Sequence, residues 1–234
     1  MQKLIGLARG LFGSPPLSVD SRFDHMLSFA RSVAATNPSA LVDVIRMFLR
    51  PLQSELLVSA SASPLHCSLS EIGPMDFFTK PGCHALRSYS TLPRLPGDGF
   101  RVELARDPVL TCPWHRSRLV NNLSHVGSGR VLGPWRQDPN HYVIVFLPWG
   151  IAFVAGGNHS IAAGILAGEG SIVPTEVWDA SPWLDSFKTD GRVFVDCVSG
   201  KEICKVFDPV RAAVFEVGRL MVAHRVVPMT VSAS

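Results

Sequence analysis

The residues best suited to chemistry lie in one stretch, Phe153-Val154-Ala155-Gly156-Gly157-Asn158-His159-Ser160-Ile161-Ala162-Ala163, where an apolar β-type run meets a glycine pair and then a small-residue helical pattern. A strand that passes through glycines into a helix leaves the first N–H groups of that helix unpaired. With the positive end of the helix dipole they face whatever lies in front of them. Phosphate is the natural ligand for such a turn. Gly156 and Gly157 permit close backbone approach, and Asn158 and Ser160 can cap the helix or hydrogen-bond the ligand. His159 can donate to a phosphate oxygen or accept a proton from water. The same residues also read as a tight turn, a helix cap and a satisfied structural histidine, so at this level both readings stand.

Cations that could complete a phosphate pocket follow in two groups. His115, Arg116 and Arg118 come after Pro113, while Arg130 and Arg136 lie in a glycine-rich connection; Arg116 and Arg136 are taken as the ligand-contacting pair, against the alternative of a solvated face. Hydrolysis of a nucleotide or of DNA would need a divalent ion such as magnesium near the phosphate, and Asp138, Glu169, Glu176 and Asp179 flank the motif. Glu176 is the candidate partner for a catalytic His159, with a solvent-facing strand carboxylate as the plainer alternative and His141 beside Asn140 as another base. His66-Cys67 and Cys83-His84 supply zinc-type ligands, but as adjacent pairs rather than Cys-x-x-Cys, so no structural metal site is expected. Cys197 and Cys204 read as ordinary hairpin or core residues. Trp135 and Trp149, on glycine-flanked turns near arginines, are either core or an exposed stacking and anchoring surface.

The elements that must position these groups emerge from the apolar pattern. Helices are expected from Asp20 or Ser21 to Ala35 and from Asn37-Pro38 up to Pro51, which should stop the second. Ser59 to Pro64 reads as a loop, and residues 65–98, broken by Gly73-Pro74, Pro81-Gly82 and Pro96-Gly97, as irregular and largely surface. Beyond Phe100 short strands alternate with helices. Arg101 to Ala105 and Val109 to Thr111 are strand-like, and Pro113 opens a helix carrying Trp114. His141 to Leu147 and Ile151 to Ala155 form a hairpin about Pro148-Trp149-Gly150. Ile172 to Trp178, Arg192 to Val198 and Glu202 to Phe207 supply further strands, and Asp208-Pro209 starts a last helix. The fold class is mixed α/β (α+β), organised as an N-terminal helical part (1–64), an irregular connection (65–98), a core (99–225) and a tail (226–234).

Composition sets outer limits. The 234 residues are 47% hydrophobic and 18% charged, enough to build a core. The mean hydropathy of +0.22 is high, yet no run approaches the ~18 apolar residues of a membrane span, so a soluble protein is expected. A net charge of +3 tolerates a polyanionic partner without demanding one. Five cysteines without a repeating spacing do not resemble a secreted disulfide framework, which suits a reducing cytoplasm. Leu4, Leu7 and Leu11 share one face of an amphipathic N-terminal helix.

The glycine-histidine turn between strand and helix resembles the phosphate-binding motif of the ParB/sulfiredoxin superfamily. More narrowly, Asn140-His141, Leu147-Pro148-Trp149-Gly150-Ile151 and Gly156 to Ile165 resemble plasmid fertility-inhibition factors of the Osa/FiwA kind, over roughly Phe100 to Val177. The resemblance implies a small mixed sheet with helices, preceded by N-terminal helices. It further implies a cytoplasmic inhibitor of conjugative DNA transfer that hydrolyses ATP and cleaves DNA as a DNase with a divalent metal such as magnesium. Relaxosome DNA or the coupling ATPase of the transfer machinery would be its partner, the latter drawing it to the inner face of the membrane. The chain departs from the superfamily twice. Asn158 stands where sulfiredoxins carry a cysteine, which excludes thiol-based repair, and Ser160 stands where an arginine would fix a phosphate. A non-enzymatic surface that occupies the coupling ATPase is the alternative mechanism.

Overall fold

The computed structural model describes residues 19–62, 72–80, 83 and 91–231. Two helices lead, α1 (Val19–Thr36) and α2 (Leu41–Ala62), joined by a 3-10 turn whose N-cap Asn37 accepts the Ser39 N–H. Pro51 does not stop α2, contrary to expectation, and Ser59 to Ala62 are helical as well. The reason lies in the faces of the helix. Pro51 is exposed, so the carbonyl it leaves unpaired can meet water, while Ile45, Phe48 and Leu49 before it and Leu56 and Ala60 after it are buried along one stripe. Residues 63 and 64, and the expected amphipathic face of Leu4, Leu7 and Leu11, lie outside the described residues.

The connection from Ile72 to Lys80 is not the surface path expected. Phe77, Phe78 and Thr79 are buried, with Phe78 packed on Trp149 and Phe215 and Phe77 on Phe153. Aromatic area outweighed the glycine and proline signals. Thr79 forms an isolated bridge to Val206, and a few residues on Cys83 and Cys204 form a disulfide, so these two are not the separate thiols expected. His66, Cys67 and His84 lie outside the described residues.

The remaining elements are β1 (Arg94–Leu95), β2 (Phe100–Glu103), β3 (Val109–Leu110), α3 (Arg116–His125), β4 (Val143–Leu147), β5 (Ile151–Val154), α4 (Asn158–Ala167), β6 (Ser171–Ile172) and β7 (Glu176–Asp179). Then come α5 (Ser181–Ser186), β8 (Phe187–Thr189), β9 (Val193–Asp196), β10 (Glu202–Lys205), α6 (Pro209–Ala223) and β11 (Thr230–Val231). The fold is mixed α/β. Its principal sheet has the order β1-β7-β4-β5-β3, flanked by the three-stranded sheets β10-β9-β8 and β11-β2-β6. The hairpin β4/β5 pairs Val143 with Val154 and Phe146 with Ile151, β4 runs parallel to β7, and β5 runs parallel to β3.

Alternation along these strands assigns the two faces of the sheet. Leu110, Ile144, Phe146, Ile151, Phe153 and Trp178 join the cluster built with α1, α2 and α6, whereas Val109, Val143, Val145, Ala152 and Val177 join Ile161 of α4 and Trp135 in a second cluster. The sheet therefore lies between two differently covered faces. The expected C-terminal tail also contributes to this core, because Met229 is buried and β11 pairs with β2.

Candidate functional site

Strand β5, paired on both sides, runs at its C-terminal end into the glycine pair, and Gly157, at φ 80°, is the N-cap of α4 with no side-chain cap. That left-handed conformation and the nearness of His141 both require glycine. A Cβ on Gly157 would stand 2.3 Å from His141 Cδ2. Ile161 donates to the Gly157 carbonyl, but among the described residues the N–H groups of Asn158, His159 and Ser160 donate to no protein atom. Three N–H groups thus point out of the helix start.

The side chains of the motif are engaged elsewhere. Asn158 Oδ1 accepts from Cys112 N–H (2.8 Å) and Thr111 Oγ1 (2.9 Å), locking the turn to the segment after β3. Ser160 Oγ and its carbonyl accept from Trp135 Nε1. His159 is buried, and its Nε2 accepts the His115 backbone N–H at 3.0 Å. The ring proton must then sit on Nδ1, and the lone pair that a general base would use is already filled. Burial, followed by the charge of Arg118 and His115, holds the His159 pKa below its ordinary value, so the ring is neutral at pH 7.

Because His115 is the N-cap of α3, this bond sets two helix starts side by side. Trp114, expected on the helix, lies just ahead of it, exposed; its ring is 5.5 Å from that of His159, and Arg118 stands 5.4 Å over the indole. Arg116 in the first turn of α3 and Arg136 beyond Trp135 are exposed and meet no carboxylate among the described residues. His141, the alternative base, stacks on Trp135 at 4.9 Å. Its Nδ1 accepts the Asp138 N–H, while its buried Nε2 has no hydrogen-bond partner, the nearest carboxylate oxygen being Asp138 Oδ2 at 3.5 Å. Burial holds the pKa of this ring down too, against the pull of Asp138.

Glu176 is not brought to His159. It shares a strand face with Trp178, in the cluster opposite α4, and its carboxylate accepts from Tyr142 Oη and Trp178 Nε1 with Arg94 at 3.6 Å. The Tyr142 bond, ahead of the others, keeps Glu176 ionised below its usual range. Glu169 accepts from Ser128 and Trp135 N–H, Asp179 from Ser181 N–H, and Asp138 from Asn140 N–H. Among the described residues no three His, Cys, Asp or Glu side chains gather. Trp135 and Trp149 are buried at 5% and 1% exposure, so neither is the stacking or anchoring surface weighed from the sequence. The exposed tryptophan of the site is Trp114. An indole after Pro113 and directly before His115-Arg116, with Arg118 two residues further on, was the signal for it.

A second feature lies alongside. Residues 127–133 form a braced loop: Gly127 N–H donates to the Gly133 carbonyl, Leu132 N–H to the His125 carbonyl, and Ser128 N–H to Glu169. At its tip Val131 and Leu132 are 83% and 67% exposed. Among the described residues no helix is long and apolar enough to cross a membrane. A family of unknown function, DUF6710, matches residues 14–226, which takes in every element from α1 to α6. No curated protein and no solved structure matches the chain.

Proposed function

We propose, from the premise that the chain belongs to DUF6710, a family of unknown function, that it binds the phosphate of a nucleotide or nucleic acid at the Gly156–Ser160 turn of a ParB/sulfiredoxin-like core. In this reading it is a plasmid-borne inhibitor of conjugative DNA transfer in the cytoplasm. The observation that carries the phosphate site is the set of open N–H groups of Asn158, His159 and Ser160. Exposed Arg116 and Arg136 and the unfilled Nε2 of His141 beside Gly157 support it. The backbone supplies the anion cradle, the arginines neutralise charge, and Trp114 offers a flat face for a base. Binding rather than hydrolysis is the activity assigned, because His159 Nε2 is occupied and Glu176 lies on the face of the sheet opposite α4. Calorimetry with ATP and magnesium should give heat of binding that vanishes in Gly157→Ala. Absence of heat with the intact chain would remove this reading.

A second reading, a non-enzymatic inhibitor that occupies the coupling ATPase of the transfer machinery, is favoured by the braced loop carrying Val131 and Leu132. Rigid, exposed apolar residues need little ordering when a partner binds. In a mating assay at equal expression, Val131→Asp with Leu132→Asp should abolish inhibition under this reading. Gly157→Ala should do so under the first.

A further inference from the structure

On the side of the main sheet opposite α4, a cavity of about 580 Å³ opens between α1, α2 and the start of α6, with a predominantly apolar lining that includes Met26, Met47, Phe48, Leu52, Phe207 and Val210. Its volume is that of a small-molecule site. One charged group in its wall stands out. Arg211 is only 6% exposed, packs on Phe77 and Phe207 with ring centroids 5.1 and 3.9 Å from its Cζ, and gives Nε to Asp208 and one Nη1 proton to the Phe77 carbonyl. A guanidinium has five N–H donors. Among the described residues Nη2 donates to no protein atom, and no Arg211 nitrogen is a fully enclosed atom without a partner, so this end of the guanidinium is reached from the cavity that it lines.

We infer that this cavity binds an acyl-chain carboxylate, its tail along the apolar lining and its carboxylate oxygens on the open N–H donors of Arg211. The other charged groups of the wall are Arg22, Glu55, Asp76 and Asp208. Asp208 is spent on the Val210 and Arg211 N–H groups and on Arg211 Nε, and Asp76 has contacts of its own. Glu55, exposed on the wall, adds its negative charge to that of Asp208 around Arg211, and Arg22 is the exposed cation at the rim. A planar fork of donors in an apolar wall favours a carboxylate over an ammonium head, which would meet donors where it needs acceptors.

The test is calorimetry of the full chain with dodecanoate and, separately, dodecyltrimethylammonium, each below its micellar concentration. Dodecanoate should bind, and the ammonium amphiphile should bind at least about tenfold more weakly, the factor that hydrogen bonds to a charged group supply. Leu52→Trp, which fills the cavity and leaves Arg211 in place, should abolish dodecanoate binding while the protein stays folded by circular dichroism. Arg211→Gln should weaken binding about tenfold if it folds. Three results overturn the inference: no binding of dodecanoate, equal binding of the two amphiphiles, or dodecanoate binding unchanged in Leu52→Trp. None of them bears on ATP binding at the Gly156–Ser160 turn.

Discussion

His159 joins two helix starts through one hydrogen bond, and this defines what its replacement should do. His159→Ala leaves the His115 N–H without its acceptor, so thermal unfolding should show a loss of roughly 1–3 kcal/mol. The Asn158, His159 and Ser160 N–H groups remain, so ATP binding by calorimetry should persist, weakened only as far as the α3 start shifts. A group acting as catalytic base would behave in the opposite way, with intact stability and lost activity. The two buried histidines also set a pH dependence. Both have folded-state pKa values below the ordinary 6.5, so as pH falls through about 6.5 the unfolded chain takes up protons that the native rings resist. Stability is fully present above that value and declines below it, before the hydrogen-bonded carboxylates Glu169 and Glu176, depressed from 4.5, come into play. Melting temperatures measured from pH 7.5 to 5 should fall, and His159→Gln should flatten that slope.

Among the elements, α2 shows most clearly where local signals yield to packing. Its proline lies on the solvent side, and the helix is held by apolar residues before and after it. Pro51→Ala restores a backbone donor at an exposed position, and chemical denaturation should show stabilisation on the order of 1–3 kcal/mol, reduced by the greater freedom of the unfolded chain. The strand-glycine-helix unit from β4 to α4 was legible in sequence because three local signals agreed: a β-branched apolar run, a hairpin-length connection and a glycine pair before small helix formers. What was not legible depends on neighbours distant in the chain. The face on which Glu176 lies is fixed by its pairing across from Ile144, the burial of Phe77 and Phe78 by α6 and Trp149, and the use of Asn158 by Thr111 and Cys112. Periodicity names which residues alternate. It does not say which of two apolar faces receives α4.

Across the whole molecule, the link between Cys83 and Cys204 ties the segment after Phe77 and Phe78 to the sheet β10-β9-β8 over a sequence separation of 121 residues. Closing a loop of that size removes much of the freedom of the unfolded chain, so reduction should lower stability by roughly 4–5 kcal/mol as read by denaturant melts with and without reductant. Cys83→Ser with Cys204→Ser should melt like the reduced protein and be indifferent to reductant. Between the two joined positions lie the whole β4–α4 unit and the turn where Val198 is 95% exposed. A protease that prefers small aliphatic residues should nick the chain there. The product will migrate as one species of unchanged mass on a gel without reductant and as two fragments with it, so the break stays hidden until the sulfur link is opened.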